Sequence, residues 1–415
     1  MLYAFARSAG YTFPRVMNAG IYIHIPFCRS RCSYCDFATG MYETGAADRY
    51  VGALIQELRD WKEIEPADGV DTVYFGGGTP SLLSGEQIGR ILQAVRARFD
   101  VATGAEVTIE MNPGTTAVQS PKSKVQSPLS DAAFESESAP SVLTAFRRLG
   151  VNRVSFGAQT FDDEALRQLG RTHTADDIRR TFQDLRVAGF VNLNFDLIAG
   201  LPGQTMASWE QNLDEALALR PEHLSLYLLD VHEGTPLADQ IRRGMRAQPD
   251  EDLTAEMYHL MIERVCNAGY EHYEISNFCL PGREARHNTK YWTGVPYYGF
   301  GCSAHSYDGR LRRWSNERDS ARYTGLIEDG RSPIVETIEL SEHDARAESM
   351  FLGLRMMRGL NMRNFALRFG ADPREQFRND LERFGKAGLI EVDGDLIRLT
   401  RHGALLSNEV FAAFV

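Results

Sequence analysis

At 415 residues the chain is long for a single compact core, so one large domain with one or two smaller ones is expected. A formal net charge of -11 argues against nucleic acid as a partner, and 43% hydrophobic with 24% charged residues is the composition of a globular protein, not a disordered one. No run of about 18 apolar residues exists to cross a membrane, and the opening "MLYAFARSAGYTFPRVMNAG" lacks the apolar stretch of a secretory signal, so a cytoplasmic protein is expected, with Met17 as an alternative start.

The first expected strand, "IYIHIPF" (21–27), runs into "CRSRCSYCDF", which places Cys28, Cys32 and Cys35 in one turn-rich loop. The other three cysteines, Cys266, Cys279 and Cys302, are scattered, and such clustering favours metal or redox chemistry over a disulfide framework. The spacing C-x3-C-x2-C suits three irons of a [4Fe–4S] cube whose fourth iron has no protein ligand, and an open metal position marks a catalytic site. Zinc is the alternative. It requires a fourth ligand, for which His24 is the nearby candidate, although a strand histidine more often has an ordinary hydrogen-bond partner.

Helix and strand then alternate. "DRYVGALIQELRDW" sets Val51, Leu54, Ile55, Leu58 and Trp61 on one helical face. The strand "DTVYFG" (71–76) ends in "YFGGGTPSLL", whose glycines let backbone N–H and C=O groups approach a ligand, though tight strand-to-helix turns use glycine too. "EQIGRILQAVRARF" repeats the helical pattern, and "EVTIEM" (106–111) closes with Glu110. The Ser/Pro/Ala-rich segment 115–140 repeats "VQSP" and reads as a flexible insertion without function. "NRVSFG" (152–157) leads to Gln159 and then to Arg171 in "LGRTHT". "ADDIRRTFQDLRVAGF" is a further helix, with a glycine suited to its C-terminus. "VNLNFDLI" (191–198) carries Asp196, and "HLSLYLL" (223–229) is the sixth strand.

Strictly alternating strands and helices imply right-handed crossovers and a parallel sheet. Six units are too few for an eight-stranded barrel, which leaves a six-stranded partial barrel or an open doubly wound sheet, with the site at the carboxyl ends of the strands in either case. Polar residues finishing strand after strand suit a zwitterionic, ribose-bearing ligand, whereas each one singly reads as surface solvation.

Past about residue 235 the rhythm changes. Residues 255–270 read as helical, and 271–316 as aromatic and loop-rich, holding "HNTKYW" (287–292) and "GFGCSAHSY". A lone histidine is not specific, and His287 and Asn288 read as stabilising an irregular loop with Tyr291 and Trp292 as core aromatics. Cys302 and His305 read as part of a turn of small residues. From 341, "DARAESMFLGLRMM" leads to "GLIEVDGDLIRLT", a hairpin signalled by Asp-Gly, which suggests a small winged-helix-like domain serving as a structural cap.

In chain order the cysteine loop, "GGGTP", "IEMNP", "FGAQTF", "LGRTHT" and "DLIAGLPGQT" resemble the radical S-adenosylmethionine (SAM) superfamily, and within it the HemN/HemW group, over residues 20–415. The resemblance implies an α/β fold. An N-terminal extension (1–19) precedes a partial (β/α)6 radical SAM barrel (20–235), a barrel extension with the HNxxYW region (236–335), and a smaller α+β, winged-helix-like HemN-type C-terminal domain (336–415). It implies Cys28, Cys32 and Cys35 as cluster ligands. Tyr22, Tyr34, Gly77, Gly78, Thr79, Glu110, Gln159, Arg171 and Asp196 match the SAM-contacting positions. The open iron would hold the amino and carboxylate groups of SAM, and a reduced cluster could cleave its C–S bond.

The group has two branches, oxygen-independent coproporphyrinogen III oxidases and haem chaperones. The oxidases carry a fourth cysteine two residues after the third, where this chain has Phe37. "HNTKYW" is similar to the HNxxYW motif of the chaperone branch, and the chain starts almost directly at the barrel. All three features point to the chaperone branch. This implies a [4Fe–4S] cluster, SAM and haem as cofactors, His287 as the haem-binding residue, no assigned catalytic residue, and no coproporphyrinogen oxidase activity. The resemblance alone offers haem as a ligand for His287, with Tyr291 and Trp292 packing on a porphyrin face and Cys302 and His305 as second-choice ligands. The implied partners are haem and a client haemoprotein, a membrane-bound respiratory protein among the candidates, and a homodimer is one arrangement allowed. A radical SAM oxidase acting on a tetrapyrrole is the alternative, and a redox-inert scaffold the third reading.

Overall fold

The structure, a computed structural model, describes residues 18–62, 69–115 and 139–414. The expected N-terminal extension and the expected insertion at 115–140 therefore lie, apart from their ends, outside the described residues. None of the described helices is long and apolar enough to cross a membrane.

Six parallel strands form the centre: β1 (Ala19–Ile25), β2 (Val70–Gly77), β3 (Val101–Met111), β4 (Arg153–Gln159), β5 (Leu193–Ala199) and β6 (His223–Leu228). They lie side by side in the order of the sequence. A doubly wound sheet would reverse direction partway, so this order decides for the partial barrel. Alternation along each strand sorts the side chains. Ile21, Ile23 and Ile25 of β1, Val73 and Phe75 of β2, and Phe156 and Phe195 of β4 and β5 are buried in the apolar core. The opposite face of the same strands carries Tyr22, His24, Tyr74, Glu110, Arg153, Ser155, Asn194 and Asp196, a polar lumen.

The connecting helices are α1 (Thr44–Asp60), α2 (Gly85–Arg98), α3 (Ala139–Leu149), α4 (Ala175–Val187) and α5 (Met206–Leu219). The apolar stripe expected on α1, from Val51 to Trp61, is buried throughout. Three crossovers begin with a capping box, at Ser84, Thr174 and Thr205, where side chain and backbone satisfy each other's free groups at the helix start. Each box marks where the chain turns back from the carboxyl end of a strand. Helix α6 (Glu251–Asn267) follows β6 and is fixed by the Trp209 indole, which donates to Met257 O at 3.1 Å.

The segment 271–316 is more regular than its sequence suggests. It forms β7 (Glu271–Glu274), β8 (Asn277–Cys279), helix α7 (Arg286–Thr293), β9 (Tyr297–Phe300), β10 (His305–Tyr307) and β11 (Arg312–Asn316), to which β12 (Ile334–Glu339) adds. β8 and β7 extend the sheet beyond β6, and β9 to β12 extend it beyond β1, so it stays open. Strands of three to five residues carry too little alternation to be recognised locally, which is why this segment reads as loop.

Helix α7 plugs the amino end of the lumen. Glu106 of β3 accepts from the backbone N–H groups of Arg286 and His287 at 3.2 and 3.1 Å, an acidic cap on the positive end of the helix. Asp71 pairs with Arg286 and Lys290 at 2.9 and 2.6 Å. The C-terminal region holds α8 (Glu342–Arg355), α9 (Met362–Phe369) and α10 (Arg378–Lys386) with a three-stranded sheet of β13 (Leu360–Asn361), β14 (Ile390–Asp393) and β15 (Leu396–Leu399). The expected Asp-Gly hairpin is the β14–β15 turn, where Gly394 has φ +58°. Arg355 stacks over Trp292 at 4.2 Å and joins this region to α7.

Candidate functional site

The cysteine loop leaves β1 and is tied down along its length. Phe27–Cys28 pairs in parallel with Gly40–Met41, Ser33 N donates to Leu169 O at 2.9 Å, and Leu237 N donates to Ser33 O at 2.8 Å. His24 Nε2 bonds Ala38 O at 3.0 Å while Nδ1 bonds the Tyr22 hydroxyl, so both ring nitrogens are occupied in bracing the loop. This removes His24 as a fourth metal ligand and accounts for Tyr22, which stands behind the site instead of lining it.

Cys28, Cys32 and Cys35 line one cavity of about 380 Å³ together with Tyr34, Gly77, Gly78, Glu110, Gln159, Arg171 and Asp196. The carboxyl ends of five strands and the cysteine loop thus meet at a single place. Burial pushes the Cys28 and Cys35 thiols above their ordinary range, and the neighbouring cysteines add to the rise. A bound metal reverses that preference, since coordination favours the thiolate. Among the described residues, the group of three ligand atoms lying within 4.8 Å of one another is Glu271, Cys279 and Glu284, not the cysteine loop. With His24 engaged elsewhere, three thiols with no fourth ligand beside them among the described residues suit a cube that takes one thiolate on each of three irons better than zinc, which needs four ligands.

Behind the thiols runs a continuous chain of hydrogen bonds. Thr79 Oγ1 donates to Cys28 Sγ at 3.7 Å and accepts from Asn112 Nδ2 at 2.9 Å. Asn112 Oδ1 accepts from Arg171 Nη1 at 2.6 Å, and Arg171 Nη2 donates to the Tyr34 hydroxyl at 2.6 Å, back in the cysteine loop. Thr79 is buried by these bonds and supports Cys28 from outside the cavity. Gly78 is required by contact: a Cβ there would meet Phe27 O at 2.7 Å and Cys28 Sγ at 3.0 Å. Gly77 has φ +111° and donates its N–H to Glu110 Oε2 at 3.0 Å.

Glu110 also accepts from the Tyr74 hydroxyl at 2.7 Å, and burial pushes its carboxyl up to about 7 despite both donors. Asp196 sits mid-strand in β5, not at its end. It accepts from Asn194 at 2.8 Å and from Ser155 at 3.4 Å, and burial raises its carboxyl too. Gln159 adopts φ +65° at a bulge after Gly157, whose missing side chain leaves room for Gln159 and Arg171. The cavity therefore offers carboxylates, amides and a guanidinium around three thiols, the set a zwitterionic ribose-bearing ligand needs.

His287 stands apart from this cavity. It is 1% exposed at the lumen floor, its Nδ1 is 2.9 Å from Thr72 Oγ1, and its Nε2 is 2.9 Å from the Tyr291 hydroxyl. Burial lowers its imidazole to about 3, which keeps it neutral. Its neighbour Asn288 does line the cavity. Cys302 is buried against the Tyr50 hydroxyl and His305 is exposed on β10; neither lines the cavity. The residues that sequence reasoning passed over are Tyr74, Asn112, Arg153, Ser155, Asn194 and Tyr227. Asn112 lies within "IEMNP" and the others alternate with apolar residues along their strands, but that pattern assigns no role.

Residues 22–216 match the Radical SAM superfamily, and residues 340–406 the HemN C-terminal domain. The chain is 34% identical over 395 residues to a protein named heme chaperone HemW from Bacillus subtilis (strain 168), covering 95% of this chain and 98% of that one. Bearers of the same name in Mycobacterium tuberculosis (strain ATCC 25618 / H37Rv) and Escherichia coli (strain K12) are 35% and 30% identical. The alignments cover 94% and 95% of this chain and 93% and 97% of those. Among solved structures, coproporphyrinogen III oxidase (HemN) from Escherichia coli, described as a radical SAM enzyme, superposes with a TM-score of 0.79 at 24% identity, covering 99% of this chain and 93% of that one. A likeness at that identity speaks to the fold.

Proposed function

The chain belongs to the HemW family of the radical SAM superfamily, and from that premise we propose that it is a haem chaperone. It binds haem, carries a [4Fe–4S] cluster with SAM, and delivers haem to a client haemoprotein. The observation that carries this reading is the cavity itself: three thiols on one loop, facing a rim of polar groups suited to SAM, with Phe37 63% exposed where the oxidase branch has its fourth cysteine. The high sequence likeness to proteins named heme chaperone supports the same branch.

Cys28, Cys32 and Cys35 would hold the cluster, which supplies an iron open to the amino and carboxylate groups of SAM. The chain's own residues do the positioning. The Thr79 hydroxyl and the missing Cβ of Gly78 fix Cys28, while the Tyr34–Arg171–Asn112 chain locks the loop to the strand ends. Glu110 and Asp196 are left facing the cavity to orient the ligand. His287 remains the proposed haem-binding residue, and a ring nitrogen would reach haem only by giving up its bond to Thr72 or Tyr291.

Anaerobic reconstitution followed by haem titration tests the reading. A Soret band saturating at a fixed ratio of haem to protein is expected, with weaker binding in His287→Ala. Unaltered binding in that variant ends the role given to His287, and no haem binding at all ends the chaperone reading. Loss of carboxyl groups from coproporphyrinogen III, under reducing conditions with SAM, would establish the oxidase instead.

A further inference from the structure

Arg153 opens β4 with its side chain on the lumen face. It is 1% exposed and lines the cavity. Its Nε has no hydrogen-bond partner, and among the described residues no hydrogen bond or ion pair reaches its guanidinium. A buried cation without a partner is costly, so chains rarely keep one that nothing compensates.

The two carboxylates within its field have other commitments. Glu110 accepts from Tyr74 and from Gly77 N, and Asp196 accepts from Asn194 and Ser155. Strand register places Arg153 opposite Thr108, and Ser155 opposite Glu110, so Arg153 lies one layer deeper than the rim. The chain thus supplies a buried guanidinium at the bottom of an open cavity, with Glu110 and Asp196 in its field but no anion hydrogen-bonded to it.

We infer that Arg153 is the receptor for a carboxylate on a molecule entering the lumen. The planar guanidinium fork matches a carboxylate with two parallel hydrogen bonds, and exclusion of water strengthens them. Two molecules carry that group: SAM, through the methionyl carboxylate oxygen that the iron does not take, and haem, through its propionates. The haem source rests on the chaperone reading; the SAM source does not.

The test uses the reconstituted protein, Arg153→Gln and Arg153→Lys, each titrated with SAM, decarboxylated SAM, haem and haem dimethyl ester. Arg153→Gln is expected to weaken one of the two carboxylate-bearing ligands by roughly tenfold to a hundredfold, as loss of a charged hydrogen bond does, and to leave its carboxyl-free counterpart unchanged. Arg153→Lys should fall between, and the ligand that loses affinity identifies the source. The ligand-free Arg153→Gln protein should melt no lower than the parent, because an uncompensated charge has been removed. Equal affinity of parent and Arg153→Gln for both SAM and haem overturns the inference. A lowered melting point in both variants does so as well, since it marks a structural cation. Absence of haem binding in the parent removes the chaperone reading, while the SAM titrations still decide this one.

Discussion

The imidazole of His287 stacks on the phenol ring of Tyr74, with centroids 5.1 Å apart and planes 27° apart. Tyr74 donates to Glu110 at the cavity rim, so the HNTKYW helix is mechanically joined to the proposed SAM cradle through one aromatic residue. His287 is therefore part of the floor of the site.

Removing that floor has a measurable cost. His287→Ala empties a buried space and strips partners from Thr72 and Tyr291, and a loss of about 2–4 kcal/mol is expected. Urea unfolding checks it. A loss below about 0.5 kcal/mol would mean that the ring contributes nothing to the floor.

The pH dependence follows from the same residue. Burial lowers His287 to about 3, so it stays neutral when folded but binds a proton near 6.5 when unfolded. A base with a depressed folded value gives stability that is complete above 6.5 and is lost as pH falls from there toward 3. Glu57 and Glu110, pushed up to about 7 by burial, act oppositely: they favour the fold at low pH and lose that contribution as pH rises from about 4.5 to about 7. Comparison with His287→Gln isolates the histidine. Between pH 6.5 and 5.5 the parent should lose about 1 kcal/mol more than the variant. Parallel curves would show that His287 titrates normally.

Gly78→Ala tests the close approach of the glycine turn to the cysteine loop. The added methyl would meet the carbonyl of Phe27 and the sulfur of Cys28, and neither can yield without moving the loop. Iron and sulfide bound after anaerobic reconstitution should fall well below the parent's, with unchanged helix content by circular dichroism. Full iron loading would show that the loop tolerates the shift.

Glu57 serves a different part of the molecule. It is buried in α1 and accepts from Tyr323 at 2.5 Å, Asn316 at 2.6 Å and Gly301 N at 2.8 Å, holding the "GFGCS" turn. Glu57→Ala leaves three donors without a partner and should cost about 2–4 kcal/mol. Cys302 then gains access to a thiol reagent that it resists in the parent. An inert Cys302 in a destabilised variant would place the damage elsewhere.

Much of the fold was legible because the signals are local. The six strands and the helices between them came from apolar periodicity within windows of a dozen residues, and the observed boundaries differ from the expected ones by a few residues. The cysteine loop was legible for the same reason. What local pattern could not reach is the sheet extension on either side: strands of three to five residues are specified by the edge they pair with, not by their own alternation. His24 shows the limit within the site. Its position four residues before Cys28 left a metal ligand open beside the ordinary hydrogen-bonded strand residue, and its bonds to Tyr22 and Ala38 decide for the latter.

The sequence by itself determined the chemistry that three thiols at C-x3-C-x2-C can do, because spacing within one loop survives any arrangement of the rest. It also determined that the site stands at the carboxyl ends of parallel strands, because strictly alternating strands and helices allow little else. Tertiary structure alone decided which polar residues share a cavity, that His287 lies beneath that cavity with both nitrogens taken, and that Arg153 is buried with no anion in hydrogen-bond reach. His287 and Thr72 are 215 residues apart along the chain. Whether a histidine faces solvent, a ligand or a threonine hydroxyl is set by which strand the fold brings beside it.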